Sequence, residues 1–276
     1  MEIRQQEFFN AIGTPIYQGY GLTENSPIIC ANSRKKHKFG TSGVIIPNLD
    51  VRIMKDKNTE CSVGEIGEIV TRGGSVMKGY YKNPEATSET LIDGWLWSGD
   101  LGYKDADGFL TVTGREKALL IAPDGEKYSP ETIEEAVINT SKFINQIMVY
   151  NDMSKFTAAL ITLNEGEFKD AVKVRGLFSK SNQDLDRMIN LILDDLSAFT
   201  KYEEYKGIPP QWRPSSFAII NGVFDETNGL VNSTMKLVRH KVTDLYKSRL
   251  DELYAAGSAD PRLDGNRAAL IKILEL

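Results

Sequence analysis

Residue types that can bind a phosphorylated ligand lie close together in QGYGLTE, residues 18–24. Tyr20 lies between two glycines, of which Gly21 is the second, and these would let the backbone approach a flat ligand on which the tyrosine ring could stack. Thr23 offers a hydroxyl to a phosphate oxygen, and Glu24 offers the carboxylate oxygens that Mg²⁺ prefers. A tight turn with an exposed Thr-Glu pair would give the same pattern, so this segment alone leaves both interpretations open.

A second group of candidates lies in residues 93–117. The sequence DADG at 105–108 predicts a hairpin turn, which would bring Asp100 and Arg115 to the same end of one hairpin. A carboxylate suits the two hydroxyls of a ribose, and an arginine suits a phosphate or a ribose oxygen. A salt bridge that closes the hairpin is the alternative interpretation.

A third candidate is Lys236, which lies between the apolar residues Met235 and Leu237. A lysine held there could neutralise charge that develops on a phosphate, although an ordinary exposed lysine would look the same. The glycine-rich stretch at 73–79 has a lysine but lacks the spacing of a P-loop, and we expect a turn between strands there.

Composition limits the class of protein. A chain of 276 residues is long for one compact domain, and its net charge of −5 argues against nucleic acid as the main partner. The two cysteines, Cys30 and Cys61, favour a reducing compartment, where each would be a small buried residue. Neither of the two histidines has metal-ligand spacing, and no apolar run is long enough to cross a bilayer.

The pattern of elements changes near residue 116. Alternating apolar residues and glycine-rich turns between 39 and 114 predict several short strands in a small barrel or sandwich. Beyond this point the sequence predicts a helix from Pro130 with Ser129 as its N-cap, two strands, and helices at about 185–199, 239–253 and 266–274. An apolar stripe of Phe8, Phe9 and Ile12 predicts a further helix near the start of the chain.

Five stretches follow the order of the motifs of one enzyme superfamily. They are YGLTE at 20–24, GEIVTRGGSVMKGYYKNPEAT at 67–87, GWLWSGDLG at 94–102, GREKALLIAPDGEKYSPETIEEA at 114–136 and NSTMKLVRHK at 232–241. In these stretches the chain resembles the adenylate-forming enzymes, which include acyl-CoA synthetases, luciferases and peptide-synthetase adenylation domains. Within this superfamily, the chain is most similar to bacterial long-chain fatty-acid CoA ligases. The similarity lies in the sequence of residues 11–24, in a helical insertion at about 165–214 and in ETNGLVNSTMK at 226–236.

The resemblance implies roles for individual residues. Tyr20 and Gly21 would bind adenine, and Asp100 would bind the ribose hydroxyls with Arg115 close by. Thr23 would contact phosphate, Glu24 would hold Mg²⁺, Lys236 would act on the α-phosphate during adenylation, and Lys117 would be the hinge.

The implied reaction has two steps and uses ATP, Mg²⁺, coenzyme A and a long-chain fatty acid. The fatty carboxylate first attacks the α-phosphate of ATP and gives an acyl-adenylate and pyrophosphate. A lid domain then turns about the hinge, the loop at 122–129 enters the site in place of Lys236, and the CoA thiol attacks the acyl-adenylate.

The resemblance also implies an α+β, multi-domain fold that covers only the C-terminal half of such an enzyme. Residues 1–32 would be a remnant of the large N-terminal domain, 33–116 a small distorted β-barrel, and 117–276 the α+β lid. The phosphate-binding loop of the family lies before its YGLTE-type motif and has no counterpart here. We therefore expect the chain alone to be inactive and to need the N-terminal portion of the same protein as its partner.

A stand-alone domain that binds nucleotide or a partner without catalysis is the alternative, as is another adenylate-forming ligase. The implied location is the cytoplasm, with peripheral contact to the inner membrane left open.

Overall fold

The computed structural model describes residues 3–177, 179–233, 235–255 and 259–275. Contacts divide the chain into two compact units, Met1–Lys117 and Ala118–Leu276, which we call the first and second units. Both contain helices and strands, so the protein is α+β, as the sequence predicts. No helix in the described part of the chain is long and apolar enough to span a membrane.

In the described residues of the first unit, nine strands form one antiparallel sheet. The strands are β1 (Gly19–Gly21), β2 (Ile28–Ala31), β3 (Gly43–Ile45), β4 (Leu49–Asp56), β5 (Thr59–Glu60), β6 (Gly67–Gly73), β7 (Leu91–Ile92), β8 (Trp95–Lys104) and β9 (Phe109–Arg115). The sheet order is β1-β2-β3-β9-β8-β6-β4-β5, and β7 pairs with β8. The alternation of VRIM holds in β4 as far as Ile53, because Leu49, Val51 and Ile53 are buried while Asp50 and Arg52 face solvent. It stops there, since Met54 is buried as well.

Two helices accompany this sheet. They are α1 (Ile3–Ala11) and α2 (Pro84–Thr90). The predicted stripe on α1 does not form its buried face, because Phe8 and Ile12 are exposed and the buried residue is Gln6, whose amide donates to Gln18 at 2.6 Å. The stretch at 73–79 does not connect two strands as expected. It leads instead from β6 towards α2, which has Pro84 at its first position and the Asn83 side chain as its cap.

The second unit contains a short hairpin and a mixed three-stranded sheet. Its strands are β10 (Leu120–Ile121) and β11 (Lys127–Tyr128) in the hairpin, and β12 (Ile144–Tyr150), β13 (Ala158–Leu163) and β14 (Ser216–Ile219) in the sheet. β12 is antiparallel to β13, and β13 is parallel to β14. β13 lies in the middle and is buried along its whole length, which agrees with its unbroken apolar sequence AALITL.

Six helices pack around these strands in the described residues. They are α3 (Pro130–Thr140), α4 (Glu165–Val174), α5 (Asn182–Leu196), α6 (Arg239–Leu245), α7 (Lys247–Ala255) and α8 (Asp264–Leu274). The periodicity of α5 is confirmed, since Leu185, Met188, Ile189, Ile192 and Leu196 are all buried. The single helix expected at 239–253 is wrong, because the backbone leaves helical angles at Tyr246 (φ −107°, ψ 23°) and two helices result.

Candidate functional site

Asp100 and Arg115 are direct partners on the hairpin of β8 and β9. The turn forms where DADG predicts it, with the amide of Gly108 donating to the carbonyl of Asp105 at 3.0 Å. At the other end of the hairpin, the Nε of Arg115 lies 2.9 Å from the Oδ1 of Asp100. The salt bridge considered from the sequence therefore exists, and it places a carboxylate and a guanidinium side by side.

Tyr20 completes a three-residue group with this pair. Its hydroxyl donates to the second oxygen of Asp100, Oδ2, at 2.7 Å. Burial, together with the negative charge of Asp100, raises the pKa of Tyr20 well above its usual value, so the phenol keeps its proton and acts as the donor. Asp100 is only 3% exposed, and a protein group approaches each of its oxygens.

The contact between Tyr20 and Asp100 requires the sheet to curl. Three strands separate β1 from β8, so a flat sheet would hold them about 19 Å apart at the usual strand spacing. A tyrosine side chain cannot cross that distance. The first unit therefore bends until its β1 edge faces β8, and this bend makes the group of Tyr20, Asp100 and Arg115.

Glu24 lies next to this group along the chain, in a short 3-10 helix, Thr23–Asn25. The carboxylate oxygen Oε1 of Glu24 accepts a hydrogen bond from the hydroxyl of Tyr80 at 2.9 Å, and its backbone carbonyl accepts from the amide of Met77 at 2.7 Å. Thr23 is exposed, and Glu24 is half-buried. Its carboxylate is therefore held in a defined position while remaining open to solvent.

The buried side chain of Asn25 holds the 3-10 helix in place through hydrogen bonds. The residue is fully buried, and its side chain accepts from the hydroxyl of Thr71 at 3.0 Å and donates to Ser75 Oγ at 3.3 Å and to the carbonyl of Ile28 at 3.2 Å. A buried amide with partners on both its oxygen and its nitrogen fixes its orientation. This network ties the Thr23–Glu24 segment to β6 and to the turn that follows it.

Gly21 has a packing reason to be glycine. A Cβ atom at this position would lie 1.8 Å from the carbonyl oxygen of Pro27, which no side chain could tolerate. The sequence suggested that glycine lets the backbone approach a ligand here. In the structure, the backbone at Gly21 closely approaches the chain at Pro27, just before β2. Binding of adenine by Gly21 stays a prediction.

The carboxylate of Glu24 could bind a magnesium ion only together with oxygen atoms of a bound substrate. The described residues contain no group of three or more His, Cys, Asp or Glu side chains that could hold a metal by itself. Mg²⁺ is commonly bound by one or two carboxylates and by substrate phosphates, and the half-exposed carboxylate of Glu24 fits that arrangement.

Lys117 and Lys236 lie apart from this group along the chain. Lys117 is in a 3-10 helix, Glu116–Ala118, and the division between the two units falls directly after it. Lys236 belongs to the second unit and is exposed. Its backbone closes a small loop, because its amide donates to Asn232 Oδ1 and its carbonyl accepts from the Asn232 amide, both at 2.9 Å.

A half-buried ion pair fixes the chain just after Lys236. Arg239 at the start of α6 pairs with Glu134 of α3, and the other carboxylate oxygen accepts from the amide of Val149 at 2.6 Å. Burial raises the pKa of Glu134 to about 7, and the guanidinium opposes that rise. The segment that carries Lys236 is therefore attached to both α3 and β12.

Three residues near the site were not found from the sequence. Tyr80 binds Glu24, the hydroxyl of Ser98 accepts from the amide of Asp100 at 3.0 Å, and Glu68 accepts from the amide of Gly99 at 2.8 Å. Burial raises the pKa of Glu68. Each lies inside a stretch that resembles a family motif, and that position was the only signal for them in the sequence.

Comparisons with known proteins show what this chain is similar to. Residues 2–81 match the family model described as AMP-binding enzyme. The long-chain-fatty-acid–CoA ligase FadD15 of Mycobacterium bovis is 32% identical over 255 residues, which are 91% of this chain and 40% of that ligase. The chain is a homologue of the AMP-binding enzymes. A second relative, the chloroplastic long-chain-fatty-acid–[acyl-carrier-protein] ligase AEE15 of Arabidopsis thaliana, is 32% identical over 92% of the chain and 34% of its own length. The chain thus spans well under half the length of these relatives.

Solved structures share the fold of this chain. The adenylation domain of a carboxylate reductase from Mycobacterium chelonae gives a TM-score of 0.74 at 22% identity, over 92% of this chain and 37% of that one. The O-succinylbenzoate CoA synthetase MenE of Bacillus subtilis in complex with AMP gives 0.66 at 24% identity, over 88% of this chain and 44% of that one.

Proposed function

We propose that the chain is part of a long-chain fatty-acid CoA ligase that works through an acyl-adenylate. A carboxylate oxygen of the fatty acid attacks the α-phosphorus of ATP, and the bond to pyrophosphate breaks. The sulfur of CoA then attacks the carbonyl carbon, the thiol proton is lost to the medium, and AMP leaves. The observation that carries this proposal is the group of Tyr20, Asp100 and Arg115, which lies in a chain homologous to such ligases.

Asp100 would bind the ribose through oxygen lone pairs that its protein partners leave available. Each carboxylate oxygen can accept two hydrogen bonds, so two ribose hydroxyls can add to the bonds from Tyr20 and Arg115. The side chain is nearly buried, so we expect a small outward movement of Tyr20 on binding. Its ring would then cover adenine while Arg115 stays paired with Asp100.

Glu24 and Thr23 would face the phosphates. Mg²⁺ would be held by Glu24 together with phosphate oxygens, and when bound it would supply positive charge that offsets the negative charge of the triphosphate. The hydrogen bond from Tyr80 fixes one oxygen of Glu24 and leaves its remaining lone pairs for this purpose.

The two units would have separate tasks in the proposed ligase. We assign residues 1–32 to a remnant of a large N-terminal domain, 33–116 to the β-barrel subdomain and 117–276 to the lid, with Lys117 as the hinge. Lys236 would act in adenylation, and the hairpin of β10 and β11 would act in thioester formation. The triphosphate would be held mainly by a phosphate-binding loop in an N-terminal portion of the same protein, and the enzyme would be cytoplasmic, with contact to the inner membrane left open.

The acceptor thiol has two candidates. The relative FadD15 is named as a ligase for CoA and the relative AEE15 as a ligase for acyl carrier protein, and both are 32% identical to this chain. We favour CoA because the resemblance found in the sequence is to CoA ligases. Supplying each thiol separately to the enzyme decides between them.

Product analysis tests the proposed function. The protein expressed from its complete reading frame is incubated with ATP, Mg²⁺, palmitate and CoA, and we expect AMP, pyrophosphate and palmitoyl-CoA in equal amounts. Asp100→Asn should raise the KM for ATP roughly tenfold or more, because hydrogen bonds to a charged acceptor contribute about 1.5–3 kcal/mol each. Asp107→Asn on the exposed turn of the same hairpin is the matched control and should change little.

Other results would favour another function. Formation of ADP, or absence of any adenylate in the presence of all substrates, would contradict the proposal. Binding of nucleotide without turnover by the complete protein would favour a binding domain without catalysis.

A further inference from the structure

The hairpin of β10 and β11 packs against the core of the second unit through Leu120, Ala122 and Tyr128, whereas its exposed turn has few contacts of its own. Its turn is closed by two backbone hydrogen bonds of 2.9 Å, from the amide of Ala122 to the carbonyl of Glu126 and from the amide of Gly125 to the carbonyl of Ala122. Residues 123–127 are all exposed. A hairpin of two-residue strands is marginally stable in water, so something outside it must hold its conformation.

Trp212 supplies such a contact from a distant part of the chain. Its ring stacks on Tyr128 with ring centroids 5.1 Å apart and planes 5° from parallel. Its indole Nε1 donates to the Oε2 of Glu126 at 3.1 Å. One side chain therefore holds the last strand of the hairpin through its ring and the turn through its N–H group.

The segment around Trp212 is itself firmly attached. Trp212 ends a 3-10 helix, Pro210–Trp212, that follows Pro209. The carbonyl of Gln211 accepts from the hydroxyl of Thr157 at 3.1 Å, and Thr157 Oγ1 also lies 2.7 Å from the hydroxyl of Tyr128. Thr157 thus links the segment that contains Trp212 to the hydroxyl of Tyr128, the residue on which Trp212 stacks.

We propose that Trp212 is a positioning residue that holds the hairpin at 120–128 in the conformation needed for thioester formation. The role assigned to the hairpin rests on the proposed function, whereas the attachment itself rests on the contacts alone. Since the stack and the hydrogen bond lie on one side chain, Trp212 orders residues 122–128 without contacting the substrates. Its loss should slow the second step and spare the first.

Hydrogen exchange of the 276-residue chain tests the attachment without any activity. Trp212→Ala should speed exchange of the amides of residues 120–128, while exchange in β12 and β13 stays unchanged. Trp212→Phe keeps an aromatic ring over Tyr128 and should restore most of the protection. Tyr202→Ala removes another partly exposed aromatic side chain of the same unit and is the matched control. Unchanged exchange in the hairpin after Trp212→Ala, or faster exchange throughout the second unit, would overturn the proposal.

Half-reaction rates of the protein from its complete reading frame test the consequence. Trp212→Ala should lower thioester formation from supplied acyl-adenylate roughly tenfold or more, because misplacement by 1 Å can cost up to a hundredfold. Adenylate formation should stay within about twofold, and Trp212→Phe should recover most of the thioester rate. Equal loss of both steps, or loss of neither, would overturn the positioning role. If the unsubstituted protein forms no adenylate, the proposed function fails, and hydrogen exchange still decides whether Trp212 holds the hairpin.

Discussion

At the scale of single residues, Asp100 is the group on which the proposed nucleotide site depends most. Its pairing with Arg115 could be predicted from the sequence because a recognisable turn places the two residues on one hairpin. Its bond to Tyr20 could not, because the two residues are 80 positions apart and meet only through the curl of the sheet. The spacing of motifs identifies residues, and long-range strand pairing determines which of them meet.

Tyr20→Phe should destabilise the first unit by about 1–3 kcal/mol, because Asp100 then loses a partner at a buried oxygen. Urea unfolding measures the loss, and Tyr81→Phe is the control because Tyr81 is exposed. Equal stability of the Tyr20 variant and the control would show that the hydroxyl contributes nothing to holding Asp100.

The two thiols should differ in reactivity. Burial raises the pKa of Cys30 to about 12, so at pH 8 almost none of it is thiolate, whereas Cys61 is partly exposed and its pKa is raised less strongly. The expectation that both cysteines are buried is therefore wrong for Cys61. A disulfide reagent at pH 8 should label one thiol in the native chain and two after unfolding. Native labelling should vanish in Cys61→Ser; rapid labelling of both thiols in the native protein would contradict this account.

At the scale of elements, the sequence predicts those whose pattern is strong and local. β4, β9, α3 and α5 form where their periodicity or turn residues place them. Elements decided by tertiary contacts were not predictable. The exposed Phe8 on α1 shows that an apolar stripe need not be the buried face, and the break at Tyr246 is not marked by glycine or proline.

The buried amide of Asn25 should account for much of the order of the 3-10 helix that carries Glu24. Asn25→Ala leaves the hydroxyl of Thr71 without its acceptor and should cost about 1–3 kcal/mol. Thr71→Val should also cost about 1–3 kcal/mol, because it leaves the buried amide oxygen of Asn25 without its donor. The double variant should lose less than the sum of the single losses, since the two side chains share one hydrogen bond. Additive losses in urea unfolding would contradict a shared network.

At the scale of the whole molecule, the chain carries the proposed residues for adenine, ribose and Mg²⁺ in its first unit and Lys236 in its second. It spans 40% of the ligase FadD15. The order of the motifs along the sequence indicates the superfamily. The curl of the first unit could not be predicted from the sequence, and neither could the attachment of the hairpin by Trp212. Both depend on contacts between segments that are distant in the sequence.

The 276-residue chain alone should bind ATP weakly. The candidate residues for adenine and ribose lie in this chain, whereas we propose that the phosphate-binding loop lies in an N-terminal portion of the same protein. Calorimetry should therefore give a Kd of roughly 1 mM or weaker, which corresponds to about −4 kcal/mol. No pyrophosphate should form with ATP, Mg²⁺, palmitate and CoA. Micromolar binding or clear turnover would show that the chain holds the triphosphate by itself.

The central claim is that this chain serves two chemical steps with different residues, and single-turnover rates of each half-reaction test it most directly. In the protein from its complete reading frame, Lys236→Ala should lower adenylation by roughly a hundredfold or more, because one positioned positive charge near the α-phosphate is lost. Thioester formation from supplied acyl-adenylate should be largely unchanged. Lys117→Pro should do the reverse, since proline fixes φ at the residue where the hinge must change its backbone angles. Lys241→Ala and Lys117→Ala are the controls and should slow neither step. Equal slowing of both steps by Lys236→Ala and by Lys117→Pro would contradict the account and would reduce both residues to ordinary surface lysines.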